Sequence, residues 1–162
     1  MRDEGKEKQI IRRMTNQGLT LTTVESCTGG MIAARLTDVP GSSAVFKQGF
    51  VTYCDEAKHR LVGVKRSTLK NYTAVSAQTA AEMAKGGAAA AGADAAVSVT
   101  GYAGPADPDG KEEVGLVYIG CRVGRKTWVK ECHFPGDRQA VREQAVRQAL
   151  ALLYRHLPEA GA

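Results

Sequence analysis

The sequence has no long apolar segment and no recognisable export signal. None of its apolar runs approaches the ~18–20 residues that cross a bilayer, so we expect no membrane partner. Residues 1–8 carry charges of both signs and lack the apolar centre of a signal peptide. These two absences predict a cytoplasmic protein.

Aromatic residues are scarce, and the basic residues are not clustered. Aromatics make up 6% of the chain, with one Trp, so there is little to stack against the bases of a single strand. The net charge is +5, but the largest basic clusters are pairs such as Arg12-Arg13 and Lys65-Arg66. A nucleic-acid binder concentrates such charge on one face. We therefore expect no specific nucleic-acid partner, and an anionic small molecule is the favoured ligand.

The usual metal-binding patterns are also missing. The chain has three histidines and no pair spaced as His-x-x-x-His, and its four cysteines form no Cys-x-x-Cys. This excludes the common zinc sites and predicts neither a metal nor a cofactor. Without an export signal a disulfide framework is not expected either, so the cysteines are predicted to be reduced and mostly buried: Cys27, Cys54, Cys121 and Cys132.

What the sequence does contain is a regular alternation of helical and strand patterns. With 162 residues, 43% of them hydrophobic, the chain suits a single domain over residues 1–162 with one sizeable core. Periodicity and Gly/Pro breaks predict helices at 3–17, 31–36, 55–62, 67–71, 77–91 and 137–156, and strands at 19–25, 45–53, 95–100, 114–122 and 126–134. The order predicts an α/β fold, a layered sandwich with a mixed β-sheet flanked by helices.

Small residues at 26–30 mark one candidate binding site. The segment Ser26-Cys-Thr-Gly-Gly30 lies between a predicted strand and a predicted helix. Ligands of open α/β sheets bind beyond the carboxyl ends of strands, and a helix N-terminus suits a phosphate. An ordinary tight turn explains the same residues equally well. Neither a dinucleotide nor a triphosphate glycine fingerprint is present to decide between them.

Residues 40–58 suggest a nucleophile and its base. Turn serines, Ser42 and Ser43, precede a strand that ends at Tyr53, and the next helix carries Lys58. A lysine can deprotonate a serine if burial lowers its pKa. From spacing alone, Lys58 can equally be a solvated helix residue. Thr100, at the end of a later strand, is placed to line the same cleft.

Several motifs together resemble one known family. In order along the chain they are Thr23–Gly30, Pro40–Ser43, Gly49–Tyr53, Glu56–Lys58 and Thr100–Pro105. The chain is similar over nearly its whole length to the C-terminal domain of the CinA competence/damage-inducible proteins. That domain also exists alone as a nicotinamide-nucleotide amidohydrolase. The resemblance implies the fold of that domain.

The resemblance also implies a reaction: hydrolysis of nicotinamide mononucleotide to nicotinate mononucleotide and ammonia, by a cytoplasmic homodimer that needs no cofactor or metal. It implies Ser43 as nucleophile, Lys58 as its base and Tyr53 beside them. Substrate contacts carried over are Ser26, Thr28, Gly29, Gly30, Thr100, Gly101 and Arg138. Arg142, one helical turn from Arg138, is an alternative for the last of these.

Three positions depart from the family pattern. Cys54 stands where a small polar residue is common, Thr73 where Gly is frequent, and Tyr102 where a smaller aliphatic residue is usual. None of them removes a proposed catalytic group. Tyr102 is expected to reshape the pocket and so to affect which substrate fits.

Two other interpretations remain open from the sequence. In the first, Cys27 is the nucleophile, assisted by Glu25 and Lys58, because a cysteine at a helix start can have a lowered pKa. In the second, the chain is a non-catalytic nucleotide-binding or competence/DNA-damage interaction module.

Overall fold

The helices and strands follow the predicted order. The computed structural model describes residues 4–159. The helices are α1 (Lys6–Gln17), α2 (Met31–Thr37), α3 (Asp55–Val62), α4 (Arg66–Tyr72), α5 (Ala77–Ala91) and α6 (Arg138–His156). The strands are β1 (Leu21–Glu25), β2 (Phe46–Val51), β3 (Ala95–Gly101), β4 (Leu116–Val123) and β5 (Lys126–His133). A 3₁₀ turn, Ser42–Ala44, leads into β2.

The strands form one mixed sheet in the order β2-β1-β3-β4-β5. β1 pairs in parallel with both β2 and β3, whereas β4 and β5 run antiparallel to their neighbours. This confirms the predicted fold class. Because the chain continues from β1 to a neighbour on one side and later to one on the other, β1 marks a switch point. The crevice at the carboxyl ends of strands at such a point is where open α/β sheets bind ligands.

Helices cover both faces of the sheet. One core lies between the sheet and α1, α2 and α6, and it contains Val146, Leu150 and Leu153 of α6 together with Leu157, which follows that helix. A smaller core on the other face includes Val24, Phe50 and Met83 and is covered by α3 and α5. In the described range 4–159, no helix has the length and apolar character to cross a membrane.

Two glycines let α5 lie close to its neighbours. A Cβ on Gly86 would overlap the carbonyl oxygen of Val62, and one on Gly87 would overlap the side chain of Val24. α5 begins at Ser76, whose hydroxyl accepts the Thr79 N–H at 3.1 Å. The Ala-rich segment is thus helical and tightly packed, which fixes the chain that leads into β3.

The predicted boundaries differ from the observed ones mainly at turns. The strand predicted from residue 19 begins at Leu21, because the N–H groups of Gly18 and Leu19 bond back to α1 carbonyls and complete its C-terminus. The strand predicted over 114–122 begins at Leu116. Residue 3, the predicted start of the first helix, lies outside the described residues.

Candidate active site

Three parallel strands end at one cavity. Ser26 follows β1, Tyr53 follows β2 by two residues, and Thr100 is near the end of β3; all three line a cavity of about 370 Å³. Lys58 and Arg138 line it as well. The structure therefore brings together Ser26, Tyr53, Lys58, Thr100, Gly101 and Arg138 from the set predicted by sequence.

Lys58 is buried beneath this cavity. Its side chain comes from α3 and is 1% exposed. The Nζ atom lies 2.9 Å from Ser26 Oγ and 2.7 Å from the carbonyl oxygen of Thr52, and as an ammonium it donates to both. Burial lowers the pKa of Lys58, and the nearby charge of Asp55 acts in the opposite direction, followed by Cys54 and Cys27. The lysine is therefore not the solvated residue that spacing alone allowed.

The turn that carries Ser26 is held from two sides. The carboxylate of Glu25, fully buried, accepts the backbone N–H groups of Ile32 at 2.8 Å and Ala33 at 3.1 Å. From α6, Arg142 donates through Nε to the carbonyl of Cys27 at 3.0 Å and through a terminal nitrogen to that of Thr28 at 3.3 Å. These contacts fix the Ser26 backbone beside Lys58.

Arg138 and Tyr53 form a second polar group at the cavity. One Arg138 nitrogen donates to the Gly104 carbonyl at 2.6 Å and another to the Tyr53 hydroxyl at 2.9 Å. Neither of these partners is an anion, so the contacts leave the positive charge of Arg138 unneutralised. Tyr53 is 60% exposed, which keeps its hydroxyl accessible to a ligand. Between the two alternatives, Arg138 faces the cavity and Arg142 supports the Ser26 turn.

The predicted pairing of Ser43 with Lys58 is corrected by the structure. Ser43 is exposed in the 3₁₀ turn before β2, whereas Lys58 follows the other end of that strand. β2 has six residues and rises about 3.3 Å per residue, so its ends are roughly 16 Å apart. Within this chain, the hydroxyl beside Lys58 Nζ is that of Ser26.

Thr28, Gly29 and Gly30 also differ from their predicted role. None of the three is among the residues that line the described cavity, and Thr28 is fully buried with a carbonyl bonded to Arg142. The position expected for a phosphate at the start of α2 is taken by the carboxylate of Glu25, which accepts hydrogen bonds from the first free N–H groups of that helix.

Cys27 lines the cavity, but its environment opposes a thiolate. Burial raises its pKa to about 11, although a backbone hydrogen bond and the charges of Arg142 and Lys58 act the other way. At neutral pH the thiol therefore stays protonated, which disfavours Cys27 as the nucleophile. Cys121 and Cys132 are also buried, and Cys54 is exposed; the four are free thiols.

Sequence reasoning did not assign several residues of the site. The carbonyl of Thr52, the carboxylate of Asp55 and the side chain of Glu112 all belong to it. Asp55 lies two residues after Tyr53, so its nearness to the site could have been inferred from the strand end. Glu112 lies in the long loop between β3 and β4, where no periodicity predicts the path of the chain.

Comparison with known proteins gives the family. The sequence model of the CinA C-terminal domain family matches residues 3–157 of the chain. The chain belongs to this family. A CinA-like protein of Kosmotoga olearia is 43% identical over 155 residues, covering 96% of this chain and 38% of that protein. Although nearly the whole chain is matched, it spans less than two fifths of the length of these curated relatives.

Solved CinA-family structures share the fold. The competence-damaged protein (CinA) superfamily protein of Escherichia coli has a TM-score of 0.90 and 36% identity, covering 94% of this chain and 88% of its own. The competence/damage inducible protein CihA of Agrobacterium tumefaciens has a TM-score of 0.83 and 39% identity, with 92% and 94% covered. The predicted family is confirmed.

Proposed function

We propose that the chain is a nicotinamide-nucleotide amidohydrolase in which Ser26 is the nucleophile and Lys58 its base. The observation that carries the proposal is the 2.9 Å contact between Lys58 Nζ and Ser26 Oγ at the cavity. The family resemblance supplies the substrate, nicotinamide mononucleotide. Ser26 is proposed as the nucleophile instead of Ser43 because Ser43 lies at the other end of β2 from Lys58. A buried lysine beside a serine is a known alternative to the histidine-based arrangement.

Burial prepares Lys58 to act as a base. A lysine accepts a proton only as the free amine, and its pKa is lowered here by removal from water. The amine remains oriented because both the Thr52 carbonyl oxygen and the Ser26 hydroxyl lie within hydrogen-bond distance of Lys58 Nζ. A general base contributes about 10²–10⁴-fold to the rate when its proton transfer is well placed.

The proposed reaction has two balanced halves. Ser26 Oγ attacks the carboxamide carbon while its proton passes to Lys58 Nζ. The resulting ammonium protonates the amide nitrogen as the C–N bond breaks, so ammonia leaves and an ester forms on Ser26. Water then attacks the ester and gives a proton to Lys58, and that proton returns to Ser26 Oγ as the acid departs.

Tyr53 and Arg138 are placed to bind negative charge. The Tyr53 hydroxyl accepts from Arg138, so its own hydrogen is left to donate to the oxygen that becomes negative during attack. Arg138 brings a charge that its protein contacts do not neutralise, which suits the phosphate of a mononucleotide. Thr100 donates its hydroxyl to the Ala74 carbonyl at 2.8 Å and so shapes the cavity wall.

The direct test is ammonia release from nicotinamide mononucleotide by the purified chain, with a metal chelator present throughout. We expect stoichiometric ammonia and nicotinate mononucleotide. Adding hydroxylamine should divert part of the product to the hydroxamate, since an ester on Ser26 would be captured by this nucleophile. No ammonia from the wild-type chain would overturn the proposed function, and ammonia without hydroxamate would argue against the ester.

A further inference from the structure

The walls of the cavity differ in charge. Arg138 supplies a positive charge and Lys58 an amine, whereas the loop between β3 and β4 supplies an aromatic ring, Tyr102, and a carboxylate, Glu112. The Glu112 segment is folded back by Asp107, whose Oδ1 accepts the Glu112 N–H at 3.2 Å. The proposed mechanism gives the basic groups roles but uses neither Tyr102 nor Glu112.

Tyr102 lies close to negative charge. Its pKa is raised first by burial and then by the charges of Glu112 and Asp107, with a hydrogen bond from Thr73 acting the other way. The ring therefore stands where two carboxylates increase the negative potential at the cavity. A neutral ring gains little from such a wall, whereas a cationic ring is attracted both by the carboxylates and by the face of an aromatic side chain.

We propose that Tyr102 and Glu112 determine substrate specificity by binding a ring that carries a permanent positive charge. This inference rests on the proposed function, because it assigns a role to other residues that line the same cavity. The cavity then selects a ligand with a cationic ring towards Tyr102 and Glu112 and an anionic group towards Arg138. A quaternary pyridinium bearing a phosphorylated sugar has this distribution of charge.

Two small probes that differ by one N-methyl group separate the ring charge from the contacts of the sugar and the phosphate. 1-Methylnicotinamide carries a permanent positive charge, and nicotinamide at neutral pH carries none; neither has a sugar or a phosphate. Their dissociation constants for the wild-type chain are measured by isothermal titration calorimetry at neutral pH. We expect the cation to bind about threefold to tenfold more tightly, as contacts of this kind give at partly exposed sites.

The variants test which residues cause the preference. Glu112→Gln and Tyr102→Leu should each reduce the ratio of the two constants by about twofold or more, while Tyr102→Phe should keep it because the ring remains. Glu113→Gln is the matched control: it removes the same charge from the next residue, which is bonded to His133 at 3.0 Å outside this cavity. We expect Glu113→Gln to leave the ratio unchanged.

Three outcomes overturn the proposal: equal affinities of the wild-type chain for both probes, no detectable binding of the cation, or a ratio that survives both Glu112→Gln and Tyr102→Leu. The readout is binding, so it does not depend on turnover. Failure to release ammonia from nicotinamide mononucleotide would overturn the proposed function. A measured preference for the cation would still support the role of Tyr102 and Glu112 in binding a cationic ring.

Discussion

Lys58 is the residue on which the chemistry depends. It is a long cationic side chain held 1% exposed, with a carbonyl and a hydroxyl as its hydrogen-bond partners. Such burial is unfavourable for an ammonium and lowers its pKa, and Asp55 limits this effect by favouring the charged form. The Lys58 pKa is thus lowered by desolvation, and Asp55 is the first of the groups that oppose this effect, followed by Cys54 and Cys27.

This balance predicts the effect of Asp55→Asn on the pH dependence of kcat/KM. The active base is the free amine, so the rate should rise with pH through the Lys58 pKa, below the ordinary lysine value of 10.5. Removing the Asp55 charge lowers that pKa further, and the rising limb should move to lower pH. The measurement is a pH–rate profile of wild-type and variant with nicotinamide mononucleotide.

Glu56→Gln is the control for this shift. Glu56 is the next residue in the first turn of α3, but its carboxylate is 3.1 Å from Arg66 and is not among the groups that perturb Lys58. Its profile should keep the wild-type midpoint. A limb that stays in place in Asp55→Asn, or moves to higher pH, would contradict the role given to Asp55.

Among the connections between elements, the turn between α4 and α5 is strained. Thr73 ends α4 with φ 67° and ψ 176°, a conformation that is essentially restricted to glycine. Its carbonyl accepts hydrogen bonds from the hydroxyls of Ser76 at 3.1 Å and Thr79 at 2.7 Å, which hold the turn at the start of α5. The family resemblance implies that Gly is frequent at the position of Thr73, and the backbone conformation gives a physical reason for it.

Thr73→Gly should stabilise the protein. Relief of strain is worth ~1–3 kcal/mol, and the greater freedom of glycine in the unfolded chain offsets ~0.5–1 kcal/mol. We therefore expect the free energy of unfolding in urea to rise by about 1 kcal/mol. Thr73→Ala also loses the hydroxyl and the γ-methyl group but keeps Cβ, so it should show no such gain. Equal stabilities of the glycine and alanine variants would contradict the strain.

Local patterns were sufficient to predict most elements but not their side-chain contacts. Asp137, the first residue of the helix predicted over 137–156, caps α6: its Oδ1 accepts the Ala140 N–H at 2.9 Å. The Gly29-Gly30 turn was also placed correctly, yet Glu25 takes the anion's position at α2. A residue inside a predicted strand gives no local signal that its carboxylate will cap the following helix.

For the molecule as a whole, the sheet topology decides which predicted residues meet. Ser26, Tyr53 and Thr100 follow or end parallel strands and so reach the same edge, a consequence that the α/β order made predictable. Ser43 precedes its strand and therefore lies at the opposite edge. Glu112 could not be placed, because the loop that carries it has no regular structure.

The central claim is that Ser26, and not Ser43, is the nucleophile deprotonated by Lys58. The test is kcat for ammonia release from nicotinamide mononucleotide by Ser26→Ala and Ser43→Ala, with folding of both checked by circular dichroism. Ser26→Ala should lose at least ~10³-fold in kcat, since removal of a nucleophile disables the whole catalytic unit. Ser43→Ala should stay within about threefold of the wild-type value, as expected of an exposed residue outside the cavity. Near-normal turnover by Ser26→Ala together with loss in Ser43→Ala would contradict the claim.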